Sequence, residues 1–169
     1  LVSWIGFTDL GAFGATLSKG QQQKLREDHT GLRDSHFNSR LGPARACIEH
    51  RNFDEVHILL WGKLQKWHEQ GNDSGLLDWL AGGTDIKVVS HFVDLDQPMN
   101  WGKSLDAVRQ VLDQVSVGSD LWMNLSSGAL AMQSALLLLG KSRLPDPSKF
   151  LTTYAWQGGM PEVTEVSKE

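Results

Sequence analysis

The chain has 169 residues and a net charge of −4, with 40% hydrophobic and 21% charged residues. That composition is ordinary for a soluble globular protein and excludes a highly charged, weakly hydrophobic disordered chain. It also argues against a long basic face for duplex nucleic acid, leaving room only for a local basic pocket.

The length suits one domain spanning residues 1–169 with a proper core. A single cysteine, Cys47, allows no internal disulfide and no CxxC cluster for zinc or redox chemistry, as fits a cytoplasmic protein. The longest apolar run, Ala129 to Leu139, is broken by Gln133 and Ser134 and is too short to span a bilayer, and no secretion signal opens the chain. The absence of an initial Met and the polar end "MPEVTEVSKE" suggest a domain cut from a longer protein.

In chain order, Val2–Phe7 ("VSWIGF") predicts a first strand, ending in the glycine-bearing turn "TDLGAFG". Ala15–Ser39 is polar and weakly periodic: a loop, a mobile hairpin or a solvated helix. "GPARACIEHR" places Pro at the first turn of a helix. Phe53–Trp61 ("FDEVHILLW") has the continuous apolar pattern of a strand buried on both faces in a parallel sheet.

A helix is expected within Gln65–Leu80, then a strand in "DIKVVSHFV". In Trp101–Val115, Trp101, Leu105, Val108, Leu112 and Val115 recur at helical spacing. "DLWMNL" reads as a strand, "SGALAMQSALLLL" as a helix and "KFLTTYAW" as a last strand. This alternation predicts right-handed βαβ units and a Rossmann-like α/β fold, with a mostly parallel sheet covered by helices on both faces.

Ligands of such sheets bind beyond the carboxyl ends of the strands, at the point where the winding order reverses. Three segments are expected there. In Phe7–Gly14, Thr8 and Asp9 can bond a sugar or base while Gly11 and Gly14 admit close backbone approach, or the segment is a helix cap with turn glycines. In "LWGKLQKWHEQ", Trp61, Lys63, Lys66, Trp67 and His68 offer stacking and positive charge to a nucleotide or RNA end, or form a solvated helix face.

In "MNLSSGALAMQ", Ser126, Ser127 and Gly128 lead into a helix. Free N–H groups, the helix dipole and two hydroxyls suit a phosphate there, and Asn124 can read a base or fix the loop. The competing reading is a serine N-cap on a core helix.

Neither a GxGxxG fingerprint nor a P-loop occurs. The six histidines form no HxH or HExxH pair, His57 reads as a satisfied strand residue, no G-x-S-x-G elbow exists, and Cys47 reads as a buried inert thiol. No metal or cofactor is expected.

The run "MNLSSGALAMQSALLLL" resembles the signature of CRISPR-associated Rossmann-fold (CARF) domains, approximately N-x-[ST]-[SG]-G-[TA]-x-x-M. Asn124, Ser126, Ser127, Gly128, Ala129 and Met132 match it. The variant is most similar to sensor domains of sigma-54-dependent activators that control the RNA terminal phosphate cyclase operon.

The resemblance implies a homodimer whose groove binds a cyclic oligoadenylate, or an RNA end such as a 2′,3′-cyclic phosphate, and thereby controls an attached effector. The implied ligand-binding residues are Thr8, Asp9, Leu10, Lys63, Asn124, Ser126, Ser127, Gly128, Ala129 and Met132. Leu130 stands where many members carry Lys or Arg, so backbone N–H groups must do more of the phosphate binding, with Lys63 or Lys141 as substitutes. The alternatives are a metal-independent ring nuclease and a ligand-free dimerisation module.

Overall fold

A computed structural model describes residues 1–38, 41–62, 64, 74–95, 97–115, 119–143, 149–154 and 160–166. Its elements are β1 (Val2–Trp4), α1 (Phe7–Gly14), α2 (Lys19–Asp28), a 3-10 turn (Asp34–Asn38), α3 (Pro43–His50), β2 (Glu55–Trp61), α4 (Ser74–Ala81), β3 (Lys87–Val93), α5 (Trp101–Gln114), β4 (Met123–Asn124), α6 (Leu130–Arg143), β5 (Phe150–Tyr154) and β6 (Glu162–Glu165).

The six strands form one sheet in the order β3-β2-β1-β4-β5-β6. All neighbours are parallel except β6, which runs antiparallel to β5 at one edge. The fold is therefore Rossmann-like α/β.

Side chains of a strand alternate between its two faces, so β2 feeds two cores. Val56, Ile58 and Leu60 join Leu10 and Phe13 of α1, Cys47 and Ile48 of α3, and Leu76 and Leu80 of α4. Leu59 instead faces Val108 and Leu112 of α5 and Met132 and Leu136 of α6, together with Val2, Trp4 and Phe150.

Several boundaries differ from the sequence reading. The first strand stops at Trp4, and "TDLGAFG" is helical rather than a turn. Gly11 and Gly14 are small there because neighbours crowd the helix: an added Cβ would lie 2.4 Å from the His36 carbonyl and 2.6 Å from the Phe37 ring, respectively. The polar Ala15–Ser39 stretch contains α2, whose start is held by the Ser18 N–H donating to Gln21 Oε1 at 3.1 Å, and then the 3-10 turn.

The last helix begins at Leu130, so neither serine before it is its cap. The polar end of the sequence forms β6, whose Val163 packs against the core while its neighbours face solvent. The helix expected within Gln65–Leu80 is described only from Ser74 onward.

Candidate functional site

The winding order reverses between β1 and β4, so the loops leaving these strands part at the carboxyl edge of the sheet and open a crevice. Gly6 and Gly128 lie side by side at its base. Gly128 has φ +85°, and a Cβ there would lie 2.9 Å from Met132 Sδ and 3.1 Å from Trp4 Cβ. A Cβ on Gly6 would lie 2.7 Å from the Gly128 nitrogen. The two loops thus approach more closely than any side chain permits.

A buried polar chain holds them from behind. Asn124 is fully buried; its Nδ2 donates to Ser3 Oγ and Ser127 Oγ, each at 3.0 Å, and its Oδ1 accepts the Ser126 N–H at 2.9 Å. Ser127 also hydrogen-bonds the Asp9 carboxylate. Ser126 Oγ accepts the Thr153 N–H at 2.6 Å, fixing the loop to β5.

Asp9, fully buried, accepts the Gly6 N–H on Oδ2 at 3.0 Å and the Ala44 N–H on Oδ1 at 2.8 Å. The second bond has a local cause. Gly42 at the N-cap of α3 has no side chain and Pro43 has no N–H, so Ala44 carries the first orphan donor of that helix. One carboxylate therefore caps two helices. Burial pushes its pKa up to about 6, opposed by the donors from Ala44, Gly6 and Ser127.

With both serine side chains engaged internally, the β4 loop offers the crevice mainly backbone. The first-turn N–H groups of α6 have no intrahelical acceptor and carry the positive end of its dipole. The Ala129 N–H points at Met132 Sδ, 3.3 Å away. A thioether is a weak acceptor, so an anionic oxygen would displace it readily.

The facing wall is aromatic. The rings of Phe7 and His36 stack at 5.9 Å, and Phe7 meets Trp61 edge-on at 5.6 Å. Trp61 is held in turn by Nε1 donating to the Ile5 carbonyl at 2.9 Å. With Pro43 and Pro98, these residues enclose about 230 Å³ opposite the Ser126–Ala129 loop. Among the described residues lining this cleft there is no lysine or arginine.

Of the residues expected to bind ligand, Thr8, Asp9, Ser126, Ser127, Gly128 and Ala129 all line the cleft. Thr8 is exposed on the first turn of α1 and Asp9 sits at the back. Asn124 lies behind the loop and does not face the cleft. Leu10 is packed in the core, and Met132 is buried beneath Gly128, where its sulfur meets the loop.

Lys63, like Lys66, Trp67 and His68, lies outside the described residues. Lys141 is in the last turn of α6, about 16 Å along the helix from the loop, too far to clamp a phosphate there. His36, Phe7 and Pro98 were not singled out from the sequence. His36 stands in a polar, weakly periodic stretch, and no sequence signal places it against α1.

Elsewhere, His57 is buried with its Nδ1 2.8 Å from His91 Nε2. Burial, then the Asp9 charge, push the Cys47 thiol up to about 12. No three His, Cys, Asp or Glu side chains gather as metal ligands among the described residues, and no described helix is long and apolar enough to cross a membrane.

These features define a Rossmann-like α/β domain with a small cleft at its topological switch point. No family model matches the chain, and no curated protein matches it in sequence. Among solved structures, the chain is similar to Enterococcus italicus Csm6 bound to cyclic hexa-2′-fluoro-hexa-dAMP, with a TM-score of 0.57 and 16% identity. The match covers 92% of this chain and 34% of the Csm6 chain, so this chain spans about a third of that protein's length. At this identity the likeness is one of fold.

Proposed function

We propose that this chain is a CARF-type sensor domain that binds a cyclic oligoadenylate in the cytoplasm and transmits occupancy to an attached effector. The observation that carries the reading is the backbone shelf of Ser127–Ala129, kept open by Gly128 and turned toward an aromatic wall across a narrow cleft. Backbone donors at a helix start suit phosphate, and flat rings suit a base. The ligand carried by the structurally similar Csm6, a cyclic adenylate analogue, supports that choice over an RNA end bearing a 2′,3′-cyclic phosphate.

A cleft of about 230 Å³ is below the 300–1,000 Å³ usual for drug-sized ligands, so one chain accommodates about one nucleotide of a ring. The remainder needs a second surface. A second copy of the chain, related by a two-fold axis, supplies an identical cleft for the opposite side of a symmetric ring.

Sensing is favoured over ring cleavage because Ser126 and Ser127 are tied to Thr153, Asn124 and Asp9 rather than free to align a ribose hydroxyl. The test is a thermal-shift panel of cyclic tri-, tetra- and hexa-adenylate and short RNAs ending in 2′,3′-cyclic phosphate or hydroxyl, followed by chromatography of the recovered ligand. Stabilisation by one cyclic adenylate recovered intact is expected. A response to RNA ends alone would replace the ligand class, recovery of linear products would make the domain a ring nuclease, and no response to any ligand would favour a dimerisation module.

A further inference from the structure

The segment between α1 and α3 is more than a connector, because it delivers one polar ring to the cleft. Gly11 lets the 3-10 turn seat directly on α1, and the seat stacks the His36 ring on Phe7 with centroids 5.9 Å and planes 28° apart. The Arg33 N–H donates to His36 Nδ1 at 2.8 Å. A nitrogen accepting that bond carries no proton, so the neutral ring bears its hydrogen on Nε2. Burial first, then the neighbouring Arg33 charge, push the His36 pKa down and keep the ring neutral.

The cleft therefore has two unlike lips: backbone donors at Ser127–Ala129, and an uncharged N–H donor on an aromatic wall at His36. A phosphate fits the first. A neutral donor mounted on stacked rings fits the second to an in-plane ring nitrogen of a base.

We propose that His36 is the base-reading residue of the cleft, donating from Nε2 to a ring nitrogen of an adenine whose phosphate rests on the Gly128 shelf. This rests on the nucleotide-sensor reading above. Adenine offers three such acceptors, N1, N3 and N7, and loses one acceptor at a time when a ring nitrogen is replaced by C–H. Because Nδ1 is fixed on Arg33, the ring cannot turn over to present an acceptor without breaking that bond.

The experiment crosses protein and ligand changes. Dissociation constants are measured for the wild-type protein, His36→Phe and His36→Gln with natural cyclic adenylate and with analogues carrying 1-deaza-, 3-deaza- or 7-deaza-adenine. His36→Phe keeps a flat ring on Phe7 and removes the donor; His36→Gln restores an N–H.

One deaza position is expected to weaken wild-type binding about tenfold, the scale of one hydrogen bond. His36→Phe should lose a similar factor with the natural ring and be indifferent to that deaza position, and His36→Gln should recover part of the loss. A side chain with only a packing role would leave the deaza penalty intact in the variant. Equal binding of all rings by the wild type, or an unchanged deaza penalty in His36→Phe, overturns the assignment to His36 while leaving the sensor reading standing. A wild-type protein that binds no cyclic adenylate overturns both.

Discussion

The Asp9 carboxylate accepts the Ala44 N–H at 2.8 Å, joining residues 35 positions apart so that the starts of α1 and α3 share one cap. The cleft stands on this joint, because the same carboxylate also holds Ser127 and the N–H of Gly6. The site's geometry and the chain's stability are consequently coupled at one buried group.

That coupling has a definite pH signature. The folded carboxyl keeps its proton up to about pH 6, whereas the ordinary value is 3.8. At this carboxyl the folded state thus binds more protons between these limits, and its contribution to stability falls as pH rises from about 4 to about 6, by on the order of 3 kcal/mol. Urea unfolding at a series of pH values should show wild-type stability declining relative to that of Asp9→Asn across this window. An equally steep decline in the variant would remove Asp9 as its source.

Gly6→Ala tests the contact between the two loops. The added methyl meets backbone 2.7 Å away, which no rotamer change relieves. Overpacking of this kind typically costs about 1–3 kcal/mol. Unfolding should report a loss of that size, together with weakened binding of cyclic adenylate as the Gly128 shelf is displaced. Unchanged stability and affinity would mean that the two loops do not abut.

Cys47 should be silent in the native protein. It is fully buried in α3 and its thiol is pushed up to about 12, so almost none is thiolate at neutral pH. A thiol reagent should label the chain only after addition of denaturant, and rapid labelling under native conditions would contradict the packing of α3 against the sheet.

The alternation of strands and helices was legible because β2, α5 and α6 carry strong apolar patterns and because Pro43 marks the start of α3. The loop after β4 was legible from its residue types: two serines and a glycine before a helix announce a backbone turned toward solvent. The tie of those serines to Asn124, two and three residues back in the same run, is legible too; their ties to Asp9 and Thr153 are not, since both residues are distant in the chain.

α1 was misread as a turn because glycine ordinarily marks one, whereas Gly11 and Gly14 are there to admit the 3-10 turn and the Phe37 ring. His36 was invisible for a related reason. Its position follows from the seat that Gly11 provides, and no local periodicity encodes it.

The central claim is that a cyclic adenylate lies across two copies of this cleft, and the most direct measurement is an isothermal titration of the protein with cyclic hexa-adenylate, repeated with the tri- and tetra-adenylate rings. The account predicts saturable binding of one ring size at one ring per two chains. If folded protein binds none of the three, or binds one ring per chain with no association of chains, the account is contradicted.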